Sequence, residues 1–176
     1  MVLSSIKKWS YNKELLEKKD AIGVSSSQTT INTGSKVGII YAFREGSAEA
    51  SIASVKDKLR TQNRIVSSLA YIDKKEETDG FTFKAYSRLH LKWNGIPEGP
   101  PIDEFLSRNY DLLICPERNI PEHMRFVLNL ATSRLKIGIN VPESDDLYDI
   151  IIDTSPEKDL KYIFMDIFKQ LEIISE

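Results

Sequence analysis

The chain has 176 residues, 41% hydrophobic and 28% charged, enough to bury one sizeable core in one domain with an appendage. A net charge of −2 leaves no global basic field to hold a polyanion, which weighs against a dedicated nucleic-acid binder. The single cysteine, Cys115, has no internal disulfide partner, and no run approaches the roughly 18 apolar residues of a membrane span; both fit a cytoplasmic protein.

Residues 4–20 read as a helix with a sparse apolar stripe of Ile6, Trp9 and Leu16, with Leu15 beside it. The apolar run at the start is too short for a signal peptide. Lysines outnumber acids here, so two readings stay open: a helix packed on the domain edge, or a basic amphipathic arm in which Trp9, Lys7 and Lys8 meet a partner or a membrane surface. Residues 21–35 are rich in Ser, Thr and Gly and read as a polar linker, with a short edge strand at 28–31. The expected organisation is therefore a basic helix and linker over 1–35, followed by one α/β domain over 36–176.

KVGIIYAF (36–43) is a β-branched apolar run of the kind that forms a strand buried on both faces. A helix is expected over 47–61, capped by Ser47, with Ala48, Ile52, Val55 and Leu59 inward. Residues 63–73 form the second strand, and a charged loop ends in Asp79-Gly80. FTFKAYSRLHLKWNG (81–95) alternates enough for one or two short extended pieces, broken at Asn94-Gly95. Alternation would set His90, Lys92 and Asn94 on a polar side. Leu89, Leu91 and Trp93 would lie on a core side, where Trp93 covers a sheet edge or helix.

Pro101 suits the first turn of a short helix over 100–109, with Ile102, Phe105 and Leu106 inward. Residues 110–117 make the third strand. A helix over 119–134 follows, with Pro121 at its first position and Val127, Leu130 and Ala131 toward the core. Strands over 135–141 and 147–154 precede a final helix capped by Ser155, with Pro156 at its first position. Leu160, Ile163, Phe164, Ile167, Phe168, Leu171 and Ile174 give that helix a 3.6-residue period. KVGII (36–40) echoes KIGIN (136–140), and YDLLI (110–114) echoes YDIII (148–152); Gly38 and Gly138 are expected to let a helix approach the sheet.

This alternation predicts a five-stranded, mainly parallel sheet flanked by helices, a three-layer sandwich of Rossmann or flavodoxin type with strand order 2-1-3-4-5. Its switch point lies at the carboxyl ends of the strands that start at Val37 and Asp111. Candidate ligand-binding residues there are Arg44, Glu45 and Ser47 after the first strand and Glu117, Arg118 and Asn119 after the third. A small anion on the N–H groups near Ser47 is one reading, a solvated loop the other; the chain has no GxGxxG or GxxxxGK[ST]. Cys115 with His123 makes a poor dyad, and a small buried side chain is the better reading. His90 and His123 have no metal-ligand spacing, and Asp145, Asp146, Asp149 and Asp153 read as a solvated loop and strand mouth rather than a Mg²⁺ site. Neither cofactor nor metal is implied. Ser87, His90, Trp93 and Asn94 remain as a candidate binding face, with Trp93 as a stacking platform.

Taken together, S-x-x-H-L-x-W-N-G (Ser87 to Gly95), Phe105–Ile114, the K-I-G of 136–138 and the YDIIID of 148–153 resemble an uncharacterised bacterial family best represented in Bacteroidota. The likeness covers nearly the whole chain and is most specific at 87–95. It implies no activity and no catalytic residue. YDLLI, with the later A-T-S-R-L-K-I-G (131–138), is more distantly similar to the N-terminal Rossmann-like half of heptosyltransferase-type glycosyltransferases. That likeness implies a nucleotide-sugar site in a second domain for which this chain has no room. The leading expectation is a non-catalytic module that binds a protein partner. An enzyme half acting on a nucleotide- or sugar-containing substrate is the alternative, with membrane association through residues 4–20 a third reading.

Overall fold

Runs that are aliphatic at every position have no face to offer water, so they must lie inside a sheet covered on both sides. The computed structural model describes residues 2–20, 34–142 and 146–174. In chain order these form α1 (Val2–Asp20), β1 (Lys36–Ala42), α2 (Ser47–Thr61), β2 (Ile65–Ile72), β3 (Ala85–Ser87), α3 (Pro100–Leu106), β4 (Asn109–Tyr110), β5 (Leu112–Cys115), α4 (Glu122–Leu130), β6 (Thr132–Ser133), β7 (Lys136–Ile139), β8 (Ile150–Ile152) and α5 (Leu160–Ile174). Most of the predicted linker, its edge strand at 28–31, and Asp145 lie outside the described residues.

The main sheet has six strands in the order β3-β2-β1-β5-β7-β8, and every adjacent pair is parallel. The five predicted strands keep the order 2-1-3-4-5. The correction is β3, a sixth strand drawn from the 81–95 segment, which pairs Ala85 with Ala70 and Ser87 with Ile72. With it the order becomes the doubly wound 3-2-1-4-5-6, and the switch point falls between β1 and β5 as expected.

The third predicted strand is also divided. Asn109–Tyr110 pairs with Thr132–Ser133 in a separate two-stranded sheet, and Leu112–Cys115 enters the main one. Asp111 sits at the break for a reason its neighbours supply: its carboxylate accepts the Lys36 N–H at 2.8 Å while its own N–H donates to the Lys36 carbonyl at 2.9 Å. Asp149 does the same to Lys136, at 2.6 and 2.8 Å. The echoed sequences are thus one device used twice: an aspartate pins the mouth of the neighbouring strand, and the tyrosine before it covers that strand's glycine. A Cβ on Gly38 would lie 2.9 Å from Tyr110 Cδ1, and one on Gly138 would overlap the Tyr148 ring. The glycines make room for tyrosine rings, where a helix had been expected.

One face of the sheet buries Val37, Ile39, Ile72, Ile114 and Ile137 against α2 and α5. The other buries Ile40, Leu69, Leu113 and Cys115 against α3 and α4. On α5 the predicted face holds: Ile163, Phe164, Ile167 and Leu171 are all buried, each contributing about 1.5–3 kcal/mol. Its start is later than predicted, because Ser155–Lys158 close a turn, with the Lys158 N–H on the Ser155 carbonyl at 3.1 Å. Pro121 is likewise the cap of α4 instead of its first residue. Ser47 opens α2, and Gly46, at φ 87°, occupies the cap position expected of it.

α1 packs outside this sandwich. Tyr11 buries its ring against Phe126, with centroids 5.5 Å apart, and its hydroxyl donates to the Glu122 carbonyl at 2.6 Å. Leu15 joins Ile96, Phe126 and Leu130 in the same cluster. Of the two readings of this helix, packing through the stripe does not hold: Ile6, Trp9 and Leu16 point to solvent, and the face turned inward is the one through Tyr11 and Leu15.

Candidate functional site

The switch-point loops bring two of the predicted site residues together. Glu117, only 1% exposed, accepts the Ala42 N–H at 2.9 Å and takes the Arg44 guanidinium through both oxygens, at 3.3 and 2.7 Å. A carboxylate buried this far must be paired, and the bidentate arginine plus a main-chain donor does so. The pair stitches the end of β1 to the loop after β5. Arg118 turns away, donating to the Ser155 carbonyl at 2.6 Å and the Lys158 carbonyl at 3.2 Å, where it holds the turns before α5. Glu45 and Asn119 are exposed, and Glu45 lies 3.8 Å from Lys74. The arrangement can orient loops; its acceptors are already engaged.

Next to it lies a polar cluster with no sequence motif. Tyr86 Oη is 3.0 Å from His123 Nδ1, and the Tyr71 ring lies against the imidazole at 4.1 Å. The Tyr71 hydroxyl donates to Asp73 at 2.9 Å, and Arg88 donates to the same oxygen at 2.8 Å. Burial holds His123 down at about 4, so the ring is neutral near pH 7; the Asp73 charge pulls weakly the other way. Burial pushes the Cys115 thiol up to about 12, helped by the Glu117 charge, so it stays a thiol and packs as a small apolar side chain. Tyrosine instead of phenylalanine at the ends of two buried strands was the only signal for this cluster.

The 87–95 segment is turn chemistry. Ser87 is fully buried and caps the 3₁₀ turn Arg88–His90: its Oγ accepts the Leu89 N–H at 3.2 Å and donates to the Glu76 carbonyl at 2.6 Å. His90 closes the capping box by accepting the Ser87 N–H at Nδ1, 3.1 Å away. A four-residue turn follows, with the Gly95 N–H on the Lys92 carbonyl at 2.8 Å and Gly95 at φ 87°. These two turns destroy the period-two alternation: Leu91 packs against the core as predicted, but Leu89 and Trp93 turn outward and Asn94 inward. Asn94 is buried, donating to Ser10 Oγ at 3.1 Å and accepting the Ile96 N–H at 3.2 Å, while Trp93 stands out in solvent.

Lys92 reaches Glu14 at 3.5 Å, so the residues on either side of Trp93 both touch α1. The outward side of α1 carries Ile6, Trp9 and Leu16 with Lys13, whose Nζ stands 5.4 Å from the Trp9 ring centroid; Lys7 and Lys8 are exposed as well and flank the inward side, with Lys7 beside Gly95. Trp9 is 65% exposed and Trp93 68%. Among the described residues no group of three or more His, Cys, Asp or Glu gathers as for a metal ion, and no helix is long and apolar enough to cross a membrane. Asp149 and Asp153 instead take the Lys136 N–H and the Asn140 amide.

With this geometry described, comparison with protein families matches residues 5–174 to DUF6913, a family of unknown function, and the chain belongs to it. The matched span takes in most of α1 as well as the sandwich. Comparison with curated proteins and with solved structures finds no match.

Proposed function

We propose that this member of a family without an assigned activity is an α/β binding module that docks a protein partner through the outer face of α1 and the adjoining Trp93 turn. The observation that carries the reading is the exposure of both of the chain's tryptophans, 65% and 68%, on a molecule whose other aromatic rings largely pack inside. An indole left in water forgoes about 1.5–3 kcal/mol of burial that a partner would recover, and tryptophan is enriched among residues that dominate interface energies. The lysines beside Trp9 supply the polar rim such a contact needs and favour an acidic complement.

Photo-crosslinking tests it. A benzophenone amino acid at position 9 or 93 is expected to trap one polypeptide of defined mass in the protein's own cells, and the same group at exposed Tyr162 on α5 is not. Equal trapping at all three positions, or none at 9 and 93, would overturn the proposal.

A second reading rests on Lys7, Lys8 and Lys13 flanking Trp9, a composition that also suits an anionic bilayer surface. It expects sedimentation with phosphatidylserine vesicles that Lys7→Glu/Lys8→Glu abolishes; unchanged sedimentation sinks it. A transferase-like role at the switch point has less support, because Arg44, Glu117, Arg118 and His90 are each engaged by internal partners.

A further inference from the structure

Strand β3 covers only the last part of the edge of β2. Their pairing starts at Ala70 with Ala85, and Ala70 donates its N–H toward β3, to the Lys84 carbonyl at 3.0 Å. Main-chain groups alternate sides along a strand, so Val66 and Ser68 direct their N–H and C=O the same way, to a side where no strand pairs among the described residues. A groove of about 230 Å³ opens at that edge. Lys56 and Arg60 of α2 form one wall and Glu104 and Arg108 of α3 the other, with Phe83 and Lys84 closing the end.

The groove is cationic in excess. Glu104 is the one carboxylate among its lining residues, and it is shared between Lys84 at 2.8 Å and Arg108 at 2.7 Å. Among the described residues the one ion pair of Arg60 is an exposed contact to Asp57 at 3.5 Å, of a kind that stabilises little. Lys56, half-buried, has no carboxylate within ion-pair distance among the described residues. Burial, then the Arg60 charge, hold its ammonium below the usual lysine range, with the Asp57 charge pulling the other way.

We infer that this groove receives an extended acidic peptide segment of another protein, which adds as a strand beside Val66–Ser68 and sets its carboxylates against Lys56, Arg60 and Arg108. Strand addition uses every feature present: main-chain hydrogen bonds at the open edge, an apolar floor at Val66 and Phe83 for alternate side chains, and cations on the walls for charge. A small anion would meet the cations and leave the edge unpaired. A second copy of this chain, edge to edge, would bring like charges together, which is how basic residues guard an exposed strand. The groove is separate from the α1 face, and the inference does not depend on it.

The test is a displayed library of random linear peptides of about eight residues, the length of an ordinary strand, panned on the full chain. Enriched sequences are expected to be acidic and free of proline at alternate positions. The best of them, synthesised, should slow hydrogen exchange at the Val66 and Ser68 amides. Its affinity should fall by about tenfold on Lys56→Gln/Arg60→Gln, or when alternate peptide nitrogens are methylated, and hold on Trp9→Ala/Trp93→Ala. Enrichment without acidic bias, equal binding of the methylated peptide, unchanged exchange at Val66 and Ser68, or self-association of the chain through this edge would overturn the inference.

Discussion

The carboxyl edge of the sheet and the outer face of α1 handle their side chains in opposite ways. At the edge, where doubly wound folds bind ligands, the charged and polar groups are spent on one another: Glu117 on Arg44 and the Ala42 N–H, Arg118 on two carbonyls, Tyr86 on His123. On α1 the inward side is anchored by Tyr11 and Leu15, and the outward side leaves Ile6, Trp9 and Leu16 in water. The difference teaches that topology alone does not locate function. The groups with unmet interactions lie away from the switch point.

That contrast can be broken from either side. Arg44→Ala would leave the Glu117 carboxylate buried with one N–H donor, and should lower stability by about 3 kcal/mol in urea unfolding, the low end for breaking a buried pair because Arg44 is itself 53% exposed. A loss under about 1 kcal/mol would mean the pair behaves as a surface contact and the edge is looser than described. His123 gives the next effect. Its folded value near 4 lies below the usual 6.5, so the unfolded chain takes up a proton first as pH falls. Stability from this group is complete above pH 6.5 and drains away toward pH 4, by about 2–3 kcal/mol. His123→Gln should remove that part of the pH dependence, read as the difference between the two denaturation profiles.

On the α1 side the effects are smaller. Tyr11→Phe removes one hydrogen bond to the Glu122 carbonyl and should cost about 1 kcal/mol, with faster hydrogen exchange in α1 before the sheet is affected. A drop as large as that of Arg44→Ala would show α1 to be part of the cooperative core. Smallest of all, Trp9→Ala/Trp93→Ala should stay within about 0.5 kcal/mol of the parent, since neither indole is packed. A larger loss would make the indoles structural and remove the ground for the docking proposal.

The sheet was legible because buried parallel strands betray themselves as aliphatic runs, and the α2 and α5 faces because their periods are regular. An extended piece within 81–95 was legible, but not its place as a sixth strand: three residues, Ala85–Ser87, are too few to show it, and what sets them in the sheet is pairing with Ala70–Ile72. The repeated Lys-x-Gly and Tyr-Asp strings were visible as echoes, yet their meaning needed the register that sets Lys36 beside Asp111 and Lys136 beside Asp149. In α1 the sequence left open whether the stripe of Ile6, Trp9 and Leu16 packs on the domain, because period alone does not say which neighbour exists; Phe126 selects Tyr11. At 87–95 the alternation was real in the string and absent in space, because a capped 3₁₀ turn and a glycine at φ 87° carry Asn94 inward and Trp93 outward.

Since the chain has only two tryptophans, both on the proposed contact face, they are its own probes. The measurement that tests the account most directly is ¹⁹F NMR of the full chain labelled with 5-fluorotryptophan, with Trp9→Phe and Trp93→Phe assigning the two signals. In buffer both should show the solvent isotope shift of exposed indoles. In extract of the protein's own cells both should shift or broaden, and an inert crowder at equal viscosity should leave them in place. Two signals that stay sharp and solvent-exposed in the extract would contradict the claim that this face is where the protein binds.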